Sequence, residues 1–229
     1  MKNKKKTIIL LSSAVAAVLV VIGCLVLAYL TQKDEVVNVF TVGDVKIALY
    51  EDEYPGNADS SVNNMLPYTE INKNPTIKNT GTNSVYVFLE IAVPVENITE
   101  VSFDGTKSEK KPQEIFYLKT NDKLQTDLKN SFNDGWVELE SEESGTEYKA
   151  GTVRTYVFAY NKVLSSGEYT NALFDKVQLK NIIENEILSG SDLHIDVKAF
   201  GIQSDHLEED FPKEELTEEQ LTKVYGYLK

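Results

Sequence analysis

The chain has 229 residues, 41% of them hydrophobic, with 23 basic and 36 acidic side chains, a formal net charge of −13 and one cysteine. So acidic a surface repels nucleic acid and anionic lipid, and a lone cysteine excludes an internal disulfide framework. Stability must come from an ordinary apolar core, for which the roughly 200 residues beyond the N-terminal segment suffice.

Residues 1–6 contain four lysines and no acid, and Thr7 to Gln32 carries no charge. A basic start followed by a long apolar run is the pattern of a secretory signal. The run exceeds the about 7–15 residues usual for a signal core and passes the about 18 that let a helix span a membrane. Three fates are open. Signal peptidase can cut after Ala28, with Val26 and Ala28 as the small residues at −3 and −1 and Tyr29 as the new N-terminus. Cys24, in "VIGC", can be lipidated, although the apolar "LVLAYL" that follows argues against it and Cys24 also reads as one more apolar residue. Or the helix is retained as an anchor. In each case the lysines stay on the cytoplasmic side and the remainder is exported. Loss of residues 1–28 leaves 19 basic against 36 acidic residues, a net charge of −17. An acidic solubilising surface is the plain reading of that charge, and attraction of divalent cations the alternative.

Strand signals dominate the exported part. In "VVNVFTVGDVKIAL" (36–49), Val37, Val39 and Thr41 share one face and Val45, Ile47 and Leu49 another, with Gly43-Asp44 where the register shifts. "SVYVFLEIAVPVE" (84–96) is apolar on both faces, with Val85, Val87, Leu89, Ile91 and Val93 opposite Tyr86, Phe88 and Ala92, as a buried central strand requires. Pro94 should end its pairing on one side. "GTVRTYVFAYNKVL" (151–164) repeats the pattern, and "DLHIDVKAFGIQ" (192–203) alternates Leu193, Ile195, Val197 and Ala199 inward with His194, Asp196 and Lys198 outward. Shorter strands are expected in 75–80, 98–103, 115–119 and 135–141. "NTGTN", "FDGT", "NDGW", "SSGE" and "SGSD" supply glycine where turns need φ > 0. Residues 120–130, with Leu124 and Leu128 four apart, are a helix candidate, and 174–187 fit a helix or a strand and turn. "TEEQLTKVYGYL" (217–228) opens with a Thr-x-x-Gln capping box and predicts a short C-terminal helix. The pattern is all-β with a few short helices. Val87, Leu89, Ile91, Tyr156, Phe158, Ile195 and Val197 are expected to be buried in facing sheets.

"AYLTQKDEVVNVFTVGDVKIALYE" closely resembles the start of exported proteins of the TasA/camelysin family, the SipW-dependent type, through Ala28, Tyr29, Leu30, Thr31, Asn38, Phe40, Thr41 and Gly43. Leu30 stands where phenylalanine is commoner. "YTEINKNPTIKNTGTNSVYVFLEIAVP", "LSSGEYTNALFDKVQL" and "IDVKAFGIQSD" are similar to later segments of the family, in order over most of residues 28–205. The resemblance implies a jelly-roll-like β-sandwich secreted from a Gram-positive cell, processed by a dedicated signal peptidase. It also implies a role at the surface or in the biofilm matrix, often as a fibre subunit. The expected division is a signal peptide or anchor over 1–28, a β-sandwich over 29–205, and an acidic linker with the final helix over 206–229.

Some relatives carry a metalloprotease label, which these residues do not support. A zinc protease needs converging ligands such as His-Glu-x-x-His on a helix, and the two histidines here, His194 and His206, sit in no such motif. His194 alternates outward on a strand and reads as solvated. His206, beside Asp205, Glu208, Glu209 and Asp210, reads first as an acidic linker and second as a cation site. No Gly-x-Ser-x-Gly elbow is present, "NIT" at Asn97 reads as a chance sequon, and "WVELESEESGTE" (136–147) reads as a hairpin rim. No catalytic, metal or cofactor residue is therefore expected. Two functions remain: a surface or matrix structural protein that self-associates, alone or with sibling subunits, through a donor strand bearing Val37, Val39 and Thr41; or a monomeric surface binding domain held by the uncut helix or a lipid on Cys24.

Overall fold

The computed structural model describes residues 44–55, 65–139, 149–183, 186, 193–205, 207, 211–212 and 214–229, all within the compact unit Gly43–Lys229. In chain order its elements are β1 (Ile47–Tyr50), β2 (Glu70–Asn72), β3 (Thr76–Asn79), β4 (Val85–Ile98), β5 (Lys111–Glu114), β6 (Phe116–Lys119), β7 (Trp136–Glu138), β8 (Thr152–Tyr160), β9 (Lys176–Leu179), β10 (Asp196–Gln203) and the helix α1 (Glu218–Gly226). The fold is all-β, every strand pair is antiparallel, and α1 is the one helix among the described residues.

The first sheet is ordered β10–β4–β8–β7, with β5 beside β4. Its centre is β4, as expected from a run apolar on both faces. Val85, Val87, Leu89, Ile91 and Val93 enter the larger core cluster, whereas Tyr86 and Phe88 enter a second one on the opposite face. β10 pairs with β4 only as far as Ala92, and Val95 is paired with both Thr152 of β8 and Glu114 of β5. β5 therefore takes over the edge that β10 leaves. Pro94 falls in the gap between them, where it has no N–H to give and its carbonyl accepts the Ile115 N–H.

The second layer joins β1–β3 to β2–β9–β6. Residues 68–80 run antiparallel to 167–179 throughout. Tyr68 N–H donates to Leu179 O, Lys73 N–H to Asp175 O, and Asn79 N–H to Glu168 O. Ile71, Ile77, Leu118 and Val177 of this layer meet the β4 row and Phe158 in the larger core. Behind the first sheet, Leu216, Leu221 and Val224 of the C-terminal segment cover Tyr86, Phe88, Val157 and Ala159. The Thr217–Gln220 capping box is formed on both sides, with Glu218 and Glu219 in the first turn.

Four expectations change. Val87, Leu89, Ile91, Tyr156, Phe158 and Val197 lie in one sheet rather than in facing sheets, since β4 separates β8 from β10. Ile195 and Val197 are half-buried, because β10 lies at an edge of its sheet among the described residues. Residues 120–130 form turns rather than a helix. Leu124 is 75% exposed, and the chain instead offers the Leu124 and Asp127 carbonyls to Lys119. Gly81 does not adopt φ > 0, unlike Gly105, Gly135 and Gly167 of the other expected turns. It is needed for space: a Cβ there would stand 2.3 Å from the Asp44 carbonyl oxygen. The described part of 174–187 resolves its ambiguity as β9 and a bridge at Ile182, with Val177 paired to Leu118 of β6 and both facing the core.

Candidate functional site

One side of the sandwich has no further strand among the described residues. Among the described residues β10 pairs only with β4, and β1 only with β3. The two edges lie near each other, with Ile47 of β1 packed over Gly201 of β10. The inward row of both strands (Ile47, Leu49, Leu193, Ile195, Val197, Ala199) packs against the core but is only partly covered. A sheet edge with incompletely covered apolar residues is chemically a receptor for another strand. The outward row of β10 carries Asp196 and Lys198, both exposed, and Lys198 Nζ lies 2.9 Å from Glu90 Oε1 on β4.

The outer face of the second layer is polar and buried. Lys180 Nζ sits 3.5 Å from Glu100 Oε2 and 4.3 Å from the centre of the Tyr117 ring. The Tyr117 hydroxyl donates to Glu100 Oε1 at 2.6 Å. Burial lowers the Lys180 pKa and the Glu100 charge opposes that, while burial and the hydrogen bond to Glu100 raise the Tyr117 pKa. Lys119 is fully buried and donates to the Leu124 and Asp127 carbonyls, and burial lowers its pKa too. On the next rows, Lys176 holds Glu70 at 2.9 Å and Lys73 holds Glu51 at 2.8 Å, and in the first sheet Glu114 accepts from the Tyr156 hydroxyl beside Arg154. These pairs answer one another, so they tie loops to strands rather than present a reactive group to a substrate.

A strained turn adjoins this layer. Leu66–Thr69 is closed by Thr69 N–H donating to Leu66 O at 3.0 Å, with Pro67 second and Tyr68 third at φ +62°. The third position of such a turn favours glycine, and a tyrosine there is strained. Its side chain explains its presence. The hydroxyl donates to Val101 O at 2.6 Å and the ring stacks on Phe103 at 4.0 Å, leaving Phe103 47% exposed.

The residues expected to act in processing or assembly (Val26, Ala28, Tyr29, Cys24, Val37, Val39, Thr41) lie outside the described residues, as does His206. His194 is exposed, 3.6 Å from Asp196. Trp136 to Leu139 form and extend β7, and the rest of the expected hairpin rim lies outside the described residues. Among the described residues no group of three or more His, Cys, Asp or Glu is placed to hold a metal, and no helix is long and apolar enough to cross a membrane. Sequence reasoning missed the buried ion pairs and Tyr68. Lys176 and Lys180 fall in a stretch that the sequence leaves open between a helix and a strand with a turn, so neither its face nor its covering is readable there. The Leu-Pro-Tyr-Thr spacing was the one available sign of the turn. Compared with family models, curated proteins and solved structures, the chain has no match.

Proposed function

We propose that this is an exported structural protein of the cell surface or biofilm matrix, a jelly-roll-like β-sandwich of the TasA/camelysin type that assembles by strand addition. The observation that carries this reading is the pair of one-sided edges, β1 and β10, with their partly covered apolar row. An added strand pairs its amides with such an edge and lays alternate side chains over that row. The donor is the strand bearing Val37, Val39 and Thr41, freed when cleavage before Tyr29 releases it from the membrane. The ion-paired loops and the second core beneath α1 supply the rigidity a building block needs.

The test compares the mature chain with one lacking residues 29–40. If the segment is a donor, the trimmed chain keeps its melting temperature and fails to oligomerise in light scattering. If it is an intrinsic strand, the trimmed chain loses stability whatever its oligomeric state. A mature chain that stays monomeric at high concentration, over a range of pH and calcium, overturns the proposal.

A second reading, a monomeric surface binding domain anchored by the uncut helix or a lipid on Cys24, is favoured by the strained Tyr68 and the exposed ring of Phe103. N-terminal sequencing and mass spectrometry of exported material decide the anchor.

A further inference from the structure

We infer that β10 is a self-complementary edge that pairs antiparallel with β10 of a second copy, with Val197 on the twofold axis. This rests on the assembly reading and names the partner of one edge, leaving the β1 edge for a donor strand.

Ser204 N–H donates to Ser84 O, and the β10–β4 register is unbroken from Asp196↔Ala92 to Gln203↔Val85. In an antiparallel ladder every second residue of a strand bonds to a given neighbour. The even-numbered residues of β10 are therefore committed to β4, and Ile195, Val197, Ala199 and Gly201 aim their N–H and C=O groups away from it. Among the described residues no strand receives them. An antiparallel partner must match these outward groups with outward groups of its own. For a second β10 that leaves registers in which odd residues pair with odd residues.

Charge chooses among them. A register centred on Asp196 sets Asp196 against Asp196 of the second copy, and one centred on Lys198 sets lysine against lysine. Like charges directly opposite oppose pairing. Centred on Val197, each Asp196 faces a Lys198 of the other copy, twice by symmetry. The row then reads Glu90, Lys198 and Asp196 of the second copy, extending the Glu90–Lys198 contact already present. Size agrees on the other face, where Ile195 meets Ala199 and Leu193 meets Gly201, large against small. An edge lysine more often serves to keep chains apart. Here that repulsion is cancelled in the Val197-centred register and operates in the registers centred one residue to either side, which makes the pairing specific.

The experiment uses the full chain with Cys24→Ser. Val197→Cys should form a disulfide-linked dimer on mild oxidation, since hydrogen-bonded partners stand about 5.5 Å apart at Cα, within disulfide range. Ala199→Cys should not, because position 199 faces 195. The charge test uses Asp196→Lys and Lys198→Glu, both at exposed positions. Each alone should weaken dimerisation roughly tenfold, from two reversed pairs per dimer. An equimolar mixture of the two should recover it, because only the heterodimer restores opposite charges. Thermal melts confirm that each variant is folded. A native chain that oligomerises without the Val197→Cys cross-link, or a mixture no tighter than its components, overturns this inference and leaves the assembly reading standing. Cross-linked dimers that never grow larger support the inference and sink the fibre reading.

Discussion

Lys180 and Lys119 are both buried ammonium groups, yet their removal should differ. Lys180 neutralises Glu100, which is itself largely covered and tied to Tyr117. Lys180→Met strands that carboxylate and should cost about 3–5 kcal/mol in chemical denaturation, most of it recovered by adding Glu100→Gln. Lys119 instead meets the carbonyls of Leu124 and Asp127 in an irregular loop, so its loss strands no carboxylate. Lys119→Met should change stability by less than about 1.5 kcal/mol, since it trades one hydrogen-bonding cation for an apolar stem of similar length. Tyr68→Phe keeps the strained turn and the Phe103 stack but removes the hydroxyl. The loss should be near 1 kcal/mol or below, because Val101 O keeps a second donor in Asn181 Nδ2 at 3.2 Å.

At the scale of elements, the arm formed by residues 99–108 hangs on two carboxylates. Asp104 accepts from Thr106 N–H, and Glu186 accepts from Thr99 N–H and its hydroxyl. These backbone bonds lower both pKa values below the ordinary carboxyl range. In the window between the folded and unfolded values the unfolded chain binds more protons, so stability falls as pH falls. The contribution is complete at neutral pH and is lost as pH drops through the folded values. Protection of the Thr99 and Thr106 amides against hydrogen exchange, relative to the intrinsic rate at each pH, should therefore fall in acid before that of β4, and Asp104→Asn, which keeps an acceptor, should remove part of the pH dependence. β4 and β8 lie at the other extreme. Leu89 and Phe158 are adjacent across the ladder and buried in the larger core, so Leu89→Ala should cost about 2–5 kcal/mol and Phe158→Ala about 3–5 kcal/mol by thermal or denaturant melts. Thr217→Ala should cost about 1 kcal/mol through the lost cap of α1.

For the whole molecule, charge opposes assembly. The full chain carries −13, and copies repel over a distance set by salt. Raising ionic strength from 0.01 M to 0.15 M shortens the screening length from about 30 Å to about 8 Å. Association of the full chain should therefore strengthen over that range in sedimentation velocity. A steady weakening would mean that the Asp196–Lys198 pairs outweigh the net repulsion.

Strong periodicity made several strands legible before any fold was known. β4 could be read as central because both of its faces are apolar, β10 because it alternates, and α1 because its capping box is local chemistry. His194 could be read as exposed by the period of two alone. Other features depend on partners distant in the chain and emerge only from the fold. The partly covered state of Ile195 and Val197 follows from β10 having one neighbour among the described residues, which no alternation reveals. The burial of Lys119 and Lys180 follows from loops that fold over a face patterned as though for water. Gly81 is required by the carbonyl of Asp44, 37 residues earlier in the chain, and not by its own turn. The open edge, too, became legible only once the ladder showed which backbone groups of β10 were already taken, because hydrogen-bond direction alternates with a register that the side chains alone do not state.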